Sequence, residues 1–109
     1  MPFDESLAQR IRIDLSRRNG IEEKKMFGSV VFMLNGNLVG GVWKNSLIAR
    51  IGPKAYDAAL LERDVSEFDV TGRPMKGWVL VKPHGIKDDD QLAEWIERSV
   101  KFVSTLAAK

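Results

Sequence analysis

Hydrophobic positions along this chain change their spacing several times, and each change marks a new element. Apolar residues recur at helical spacing from Leu7 to Leu15, which predicts an amphipathic helix that begins near Asp4 as its N-cap and ends by Gly20. From Lys25 to Leu34 the residues are apolar or β-branched on both alternations. That pattern predicts one strand covered on both faces or lying near a dimer contact.

Turn residues divide the next part of the chain into two further strands. Asn35-Gly36-Asn37 has the composition of a tight hairpin, and strands are predicted over Leu38 to Trp43 and Leu47 to Ile51. Gly40 and Gly41 interrupt the first of these, where we expect a bulge or a close approach of two backbones.

The second half of the chain returns to helical spacing twice. A short helix is predicted after Gly52-Pro53, then strands over Glu67 to Val70 and Trp78 to Lys82, and a long amphipathic helix after the acids Asp88 to Asp90. The order α-β-β-β-α-β-β-α predicts a two-layer α+β fold, an antiparallel sheet with helices packed on one face.

Composition limits the class of protein. With 109 residues, 44% of them hydrophobic, we expect a single domain over 1–109. No cysteine is present, which excludes disulfides, thiolate nucleophiles and cysteine-containing zinc sites. The N-terminus lacks the basic and apolar regions of a signal peptide, and no apolar run reaches membrane-spanning length. A cytoplasmic protein without membrane contact is the expectation.

Charge is balanced along the chain except in one segment. Between Thr71 and Lys87 there are four cations and no acid, whereas the net charge of the whole chain is only +2. Nucleic-acid modules usually show a broader basic face. Direct nucleic-acid binding therefore ranks lowest among the functions considered.

The residues needed for catalysis are scarce. His84 is the one histidine, and no hydroxyl in the sequence is placed to pair with it as an activated nucleophile. A metal site formed by His84 with Asp88 to Asp90 competes with a simpler interpretation, in which the acids cap a helix. No phosphate-binding or dinucleotide motif occurs. We expect no enzyme activity, no cofactor and no bound metal.

The segment from Thr71 to Gly77, which we name the basic loop, is the best candidate site. Gly72 and Gly77 would let backbone amides approach a ligand, and Arg73 and Lys76 could bind an anion. Trp78 would add an amphipathic surface, and His84 could complete the site. The simpler alternative is a connection whose glycines turn the chain while its cations stay in water.

Several short motifs, taken in order, resemble the N-terminal domain of the TfoX/Sxy family of competence regulators. They are Lys25-Met26-Phe27-Gly28, the Asn35-Gly36-Asn37 hairpin, Arg50 with Gly52-Pro53 and Tyr56, Pro74-Met75, and Asp90 to Trp95. The resemblance covers nearly the whole chain.

This resemblance implies a two-layer α+β fold similar to that of type III secretion chaperones. It also implies a bacterial regulator that assists a transcription activator and catalyses no reaction. The chain departs from the full-length regulators in two ways. It ends at Lys109 without their C-terminal helical domain, and it reads Lys76-Gly77-Trp78 where aromatic residues often follow in the regulators. A stand-alone domain is therefore expected.

Two functions from different classes follow. The first is a non-enzymatic regulatory or protein-interaction module, with a protein partner such as a transcription regulator. The second is a domain that binds a small molecule or an anion through the basic loop. A homodimer is a further expectation, drawn from the two-sided apolar segment from Met26 to Leu34.

Overall fold

The computed structural model describes residues 3–26, 28–69 and 72–108. Over these residues the chain forms three α-helices, six β-strands and one 3₁₀ turn. In chain order they are α1 Glu5–Leu15, β1 Ile21–Met26, β2 Ser29–Leu34, β3 Asn37–Trp43, β4 Ser46–Arg50, α2 Pro53–Leu60, β5 Val65–Glu67, β6 Trp78–Val81, the 3₁₀ turn Pro83–Ile86 and α3 Asp89–Val103.

All six strands belong to one antiparallel sheet with the order β1-β2-β3-β4-β6-β5. The predicted α+β class is therefore confirmed. The first four strands form a meander. β6 then pairs with β4, and β5 lies outside β6 at the edge of the sheet.

One core joins the helices to a single face of the sheet, which we call the inner face. It contains Phe32, Val42 and Val79 from the strands, with Leu7 from α1 and Val100 from α3. Because side chains alternate along a strand, the intervening residues point to the opposite, outer face. Val31 and Ile48 are buried on that face but lie outside the core cluster.

Both long helices begin at the predicted caps. The carboxylate of Asp4 accepts a hydrogen bond of 3.1 Å from the amide of Leu7, and Asp88 forms a capping box with Gln91. These side chains satisfy amide groups that would otherwise have no partner inside the helix. The α1 helix ends at Leu15 with Ser16 as its C-cap, earlier than the predicted stop at Gly20.

The single strand predicted from Lys25 to Leu34 is wrong, because the structure divides this region between two strands. β1 and β2 form a hairpin in which Met26 pairs with Ser29, and Gly28 adopts a φ of 77°. β1 begins earlier, at Ile21, and its Glu22 to Lys25 are all exposed. A strand at the edge of a sheet can stay largely exposed. The polar sequence of β1 therefore lacks the apolar pattern from which a strand is predicted.

Two smaller features also differ from the prediction, the bounds of β5 and an additional 3₁₀ turn. β5 covers Val65–Glu67, before the predicted Glu67 to Val70, and Val70 lies outside the described residues. The 3₁₀ turn after β6 was not predicted. β5 lies at the edge of the sheet and has only three residues, which is too short for a clear alternation of apolar and polar positions.

Gly40 and Gly41 occur where backbones approach closely, as predicted. A Cβ atom added to Gly40 would lie 2.4 Å from the carbonyl oxygen of Ile48, and one added to Gly41 would lie 2.3 Å from that of Val30. The register between β2 and β3 also shifts at Phe32 and Met33. The predicted close approach and the predicted bulge both occur.

Candidate functional site

Backbone hydrogen bonds hold the C-terminal part of the basic loop to neighbouring segments. The amide of Met75 donates to the carbonyl of Phe68 at 3.2 Å, and the carbonyl of Gly77 accepts from the amides of Ile51 and Gly52 at 2.9 and 3.1 Å. Gly77 is buried with a φ of 97°, and a Cβ there would lie 3.2 Å from the carbonyl carbon of Gly52. Glycine therefore fits this position for two reasons, its backbone conformation and the close packing.

The ends of β4 and β6 place an aromatic and cationic cluster beside this loop. Arg50 pairs with Trp78 across the two strands, and its guanidinium lies 5.1 Å from the centre of the Trp78 ring and 5.8 Å from that of Phe102. Phe68 stacks on Trp78 with ring centres 6.1 Å apart. The guanidinium also donates to the carbonyl of Leu38 at 3.2 Å. Arg50 is thereby fixed between two rings, a favourable position for a cation.

Three of the four predicted binding residues lie in the basic loop or directly after it. Arg73 and Lys76 are exposed in the basic loop, and the half-buried Trp78 begins β6 directly after it. His84 lies beyond the other end of β6, in the 3₁₀ turn. The extended strand separates it from the loop by roughly 10 Å or more. His84 does not join the cluster.

Much of the hydrogen-bonding capacity of the basic loop is used within the protein. The amides of Gly72, Met75 and Trp78 donate to the carbonyls of Asp69, Phe68 and Met75. Thr71 lies outside the described residues. The amide of Gly72, which was predicted to approach a ligand, is therefore already bonded, while a role for the amide of Gly77 stays a prediction.

The outer face of the sheet extends from this cluster towards β1. Its half-buried apolar side chains are Met33, Leu38, Trp43, Trp78 and Leu80, which surround the buried Val31 and Ile48. Every helix contributes its buried apolar residues to the core on the inner face. The outer face is thus an apolar surface on the side away from the helices.

A groove lies elsewhere, between α1 and α3, and has a volume of about 610 Å³. Ion pairs cross it, from Arg10 to Asp89 at 3.1 Å and from Arg18 to Glu97 at 2.5 Å. Burial raises the pKa of the Asp14 carboxyl in its wall, against the effect of nearby arginines. Its lining includes neither a histidine nor a hydroxyl nucleophile.

The described residues also bear on metal binding and on membrane insertion. Among residues 3–26, 28–69 and 72–108, no group of three or more metal-ligating side chains occurs. In the same part of the chain, no helix is long and apolar enough to cross a membrane.

A comparison with protein families identifies the chain. The family described as TfoX N-terminal domain matches residues 14–103, which is most of the sequence. The chain belongs to the TfoX N-terminal domain family. No curated protein and no solved structure matches it. The family resemblance seen in the sequence is confirmed, while the similarity to secretion chaperones stays a prediction.

Within this TfoX N-terminal domain, sequence reasoning missed part of the candidate site. Arg50 is part of a family motif in the sequence, but nothing there places it beside Trp78 or Phe102. The alternation of Arg50, Trp78 and Leu80 with core residues was visible in the sequence. Which side of the sheet the helices would cover depends on the tertiary fold.

Proposed function

We propose that this TfoX N-terminal domain is a non-enzymatic interaction module that binds an acidic protein segment over the outer face of its sheet and the basic loop. The observation that supports this most directly is the apolar outer face with Trp43 and Trp78 on it. Tryptophan is enriched among the residues that dominate binding energy at protein interfaces. A regulatory role follows if the partner controls transcription, as the family resemblance implies.

Charge supports an acidic partner. The basic loop presents Arg73 and Lys76 beside Trp78, and Arg50 lies against the same ring. A partner with acidic residues flanking an apolar anchor would match both parts of this surface, because complementary charge steers association and fixes register.

The positions of His84 and Asp14 fit a role without catalysis. His84 is exposed and lies apart from the basic loop. The carboxyl with a raised pKa, Asp14, lies among arginines and other acids. General acid and base catalysis needs such a group within reach of a second reacting group.

A binding experiment tests the proposal with matched charge reversals. The immobilised chain is compared with the pair Arg73→Glu and Lys76→Glu, and with the control pair Lys82→Glu and Lys87→Glu, against extract from the native host. All four side chains are exposed cations of the same acid-free segment, so both variants change the net charge equally. A protein retained by wild type and control but lost from the loop variant supports the proposal.

The apolar part of the surface needs its own variant. Trp43→Ser removes a half-buried ring from the outer face without touching the basic loop, and we expect it to weaken capture of the same protein about tenfold or more. If every bait retains the same proteins, or none retains a protein that an empty matrix does not, the interaction proposal fails.

The anion-binding alternative has a separate test. Phosphate or a nucleotide is titrated into the isotope-labelled chain while amide shifts are followed. Shifts confined to Gly72 through Trp78 would favour an anion site formed by Arg73 and Lys76, whereas unchanged amides there would end this alternative.

A further inference from the structure

The β1 strand forms one end of the sheet, and no strand among the described residues pairs with its outer edge. Its residues Glu22, Glu23, Lys24 and Lys25 are all exposed. An unpaired edge presents backbone donors and acceptors to any chain that can add a strand. What that chain could be depends on the direction of these groups and on the charges beside them.

The hydrogen-bond pattern shows which backbone groups point outwards. The carbonyl of Gly20 accepts from the amide of Asn35 at 2.9 Å, so the bonds from β1 to β2 involve the even-numbered residues of β1. The amides and carbonyls of Ile21, Glu23 and Lys25 therefore point away from β2, to the outer edge.

Two copies of β1 can pair antiparallel only about a two-fold axis normal to the sheet, which keeps the inner faces of both copies on the same side. Residues directly opposite each other must then point to the same face. If Glu23 lies opposite Glu23 of the second copy, then Ile21 lies opposite Lys25 of that copy. The outward-pointing amides and carbonyls of the two strands can then form hydrogen bonds with each other. Glu22 then lies opposite Lys24 of the second copy, and Lys24 opposite its Glu22.

These two charge pairs occupy favourable positions. They lie at the non-hydrogen-bonded sites of the ladder, where Cα atoms are about 4.5 Å apart and opposite side chains are closest. Opposite charges at such sites stabilise strand pairing, and like charges oppose it. The order Glu-Glu-Lys-Lys therefore makes this edge complementary to itself.

The two Glu23 carboxylates that meet at the axis would repel each other, but within each copy the charge of Glu23 is balanced by Arg12. The guanidinium of Arg12 donates to both carboxylate oxygens of Glu23 at 2.7 Å. This hydrogen bond lowers the pKa of the Glu23 carboxyl. Two neutral Arg12–Glu23 pairs would thus meet at the axis, on the inner face.

We propose that the occupant of the β1 edge is a second copy of this chain, and that the two sheets join there into one continuous twelve-stranded sheet. The proposal does not depend on the interaction function above. It differs from the dimer contact expected from Met26 to Leu34, which stays a prediction, because both edges of β2 are already paired within the sheet. One strand pair is a small contact, so this dimer is expected to dissociate on dilution.

Charge exchange between copies tests the proposal. Glu22→Lys and Lys24→Glu each place two like-charged pairs across the axis, and sedimentation equilibrium should show self-association at least about tenfold weaker for each. An equal mixture of the two variants restores opposite charges in both pairs. It should recover dimers that contain one copy of each, as resolved by native mass spectrometry.

The register has its own control. Lys25→Glu makes the same charge change as Lys24→Glu one residue away, but faces Ile21 of the second copy and should alter association much less. Amide exchange adds a readout of the backbone: protection of Ile21, Glu23 and Lys25 should rise with protein concentration. A wild-type chain that stays monomeric up to millimolar concentration would overturn the proposal. So would a mixture that fails to associate, or a Lys25 variant that dissociates more than Lys24→Glu does.

Discussion

On β6 the two faces of the sheet can be compared residue by residue. Val79 and Val81 are fully buried in the core on the inner face, whereas Trp78 and Leu80 beside them point outwards and are half-buried. Both faces are apolar, yet helices cover only the inner one. The inner face therefore holds the domain together, and the apolar outer face is the surface that the proposed function assigns to a partner.

Removal of one side chain from each face of β2 gives the largest expected contrast. Phe32→Ala creates a cavity in the core, where the ring is 1% exposed, and should lower the free energy of unfolding by about 3–5 kcal/mol. Met33→Ala, next to it on the outer face, should cost only about 1 kcal/mol because the side chain is already half in water. Urea unfolding measures both. Equal losses would contradict the distinction between the faces.

Glycine substitutions in the basic loop should differ by less. Gly72 and Gly77 have similar positive φ angles of 92° and 97°, but only Gly77 packs against the backbone of Gly52 and Pro53. Gly72→Ala should therefore lower the free energy of unfolding by about 1 kcal/mol, through the strained backbone conformation alone. Gly77→Ala should cost about 2–3 kcal/mol, since the loop must also move. Thermal unfolding compares them, and identical effects would show that the loop is not held as described.

Arg50 connects the outer face to the end of α3, and a smaller effect is expected there. Arg50→Lys keeps the charge but loses the flat guanidinium between Trp78 and Phe102, which should cost about 1 kcal/mol. Ring protons of Trp78 observed by NMR should shift, because the cation lies against that ring. A control variant, Lys54→Arg, changes an exposed cation on α2 and should leave those protons unmoved.

The smallest effect concerns pH. Arg12 lowers the pKa of Glu23, so the folded state favours the charged carboxylate. The pair therefore stabilises the fold above the ordinary glutamate pKa, and this contribution is lost as pH falls through the lowered pKa of the folded state. At pH 7 the free energy of unfolding of the wild type should exceed that of Glu23→Gln by at most about 1 kcal/mol, because the side chains of Arg12 and Glu23 are both partly exposed.

Dilute samples, followed by urea unfolding across the acid range, keep this measurement free of self-association. The two curves should converge once the carboxylate is protonated. A difference that persists at the most acid pH would show that the Glu23 side chain stabilises the fold by something other than its charge.

Local signals in the sequence identified the elements whose ends are defined by side chains. Asp4 and Asp88 cap their helices as predicted, and Asn35-Gly36 turns the hairpin with φ angles of 52° and 85°. These features depend on neighbouring residues, so a local pattern is enough to predict them.

Features set by the whole fold were not predictable in this way. Nothing local in Ile21 to Lys25 indicates a strand, because its partner β2 supplies the apolar contacts. The distance between His84 and the basic loop depends on β6 running fully extended between them. The cluster of Arg50, Trp78 and Phe102 joins three separate elements, and a single sequence gives no sign of such contacts.

The order of strands also bears on how the domain folds. The pairings of β1 with β2, β2 with β3 and β3 with β4 each join neighbours in sequence. β6, in contrast, reaches β4 only after the whole segment from Ile51 to Gly77 has been closed into a loop. Local pairings close faster than distant ones. The meander should therefore form first, and pulse-labelled amide exchange should protect Val31 before Val79. Until β6 arrives, the edge of β4 with Ile48 is open to neighbouring chains, so the slow step of folding is also the interval of greatest risk of aggregation.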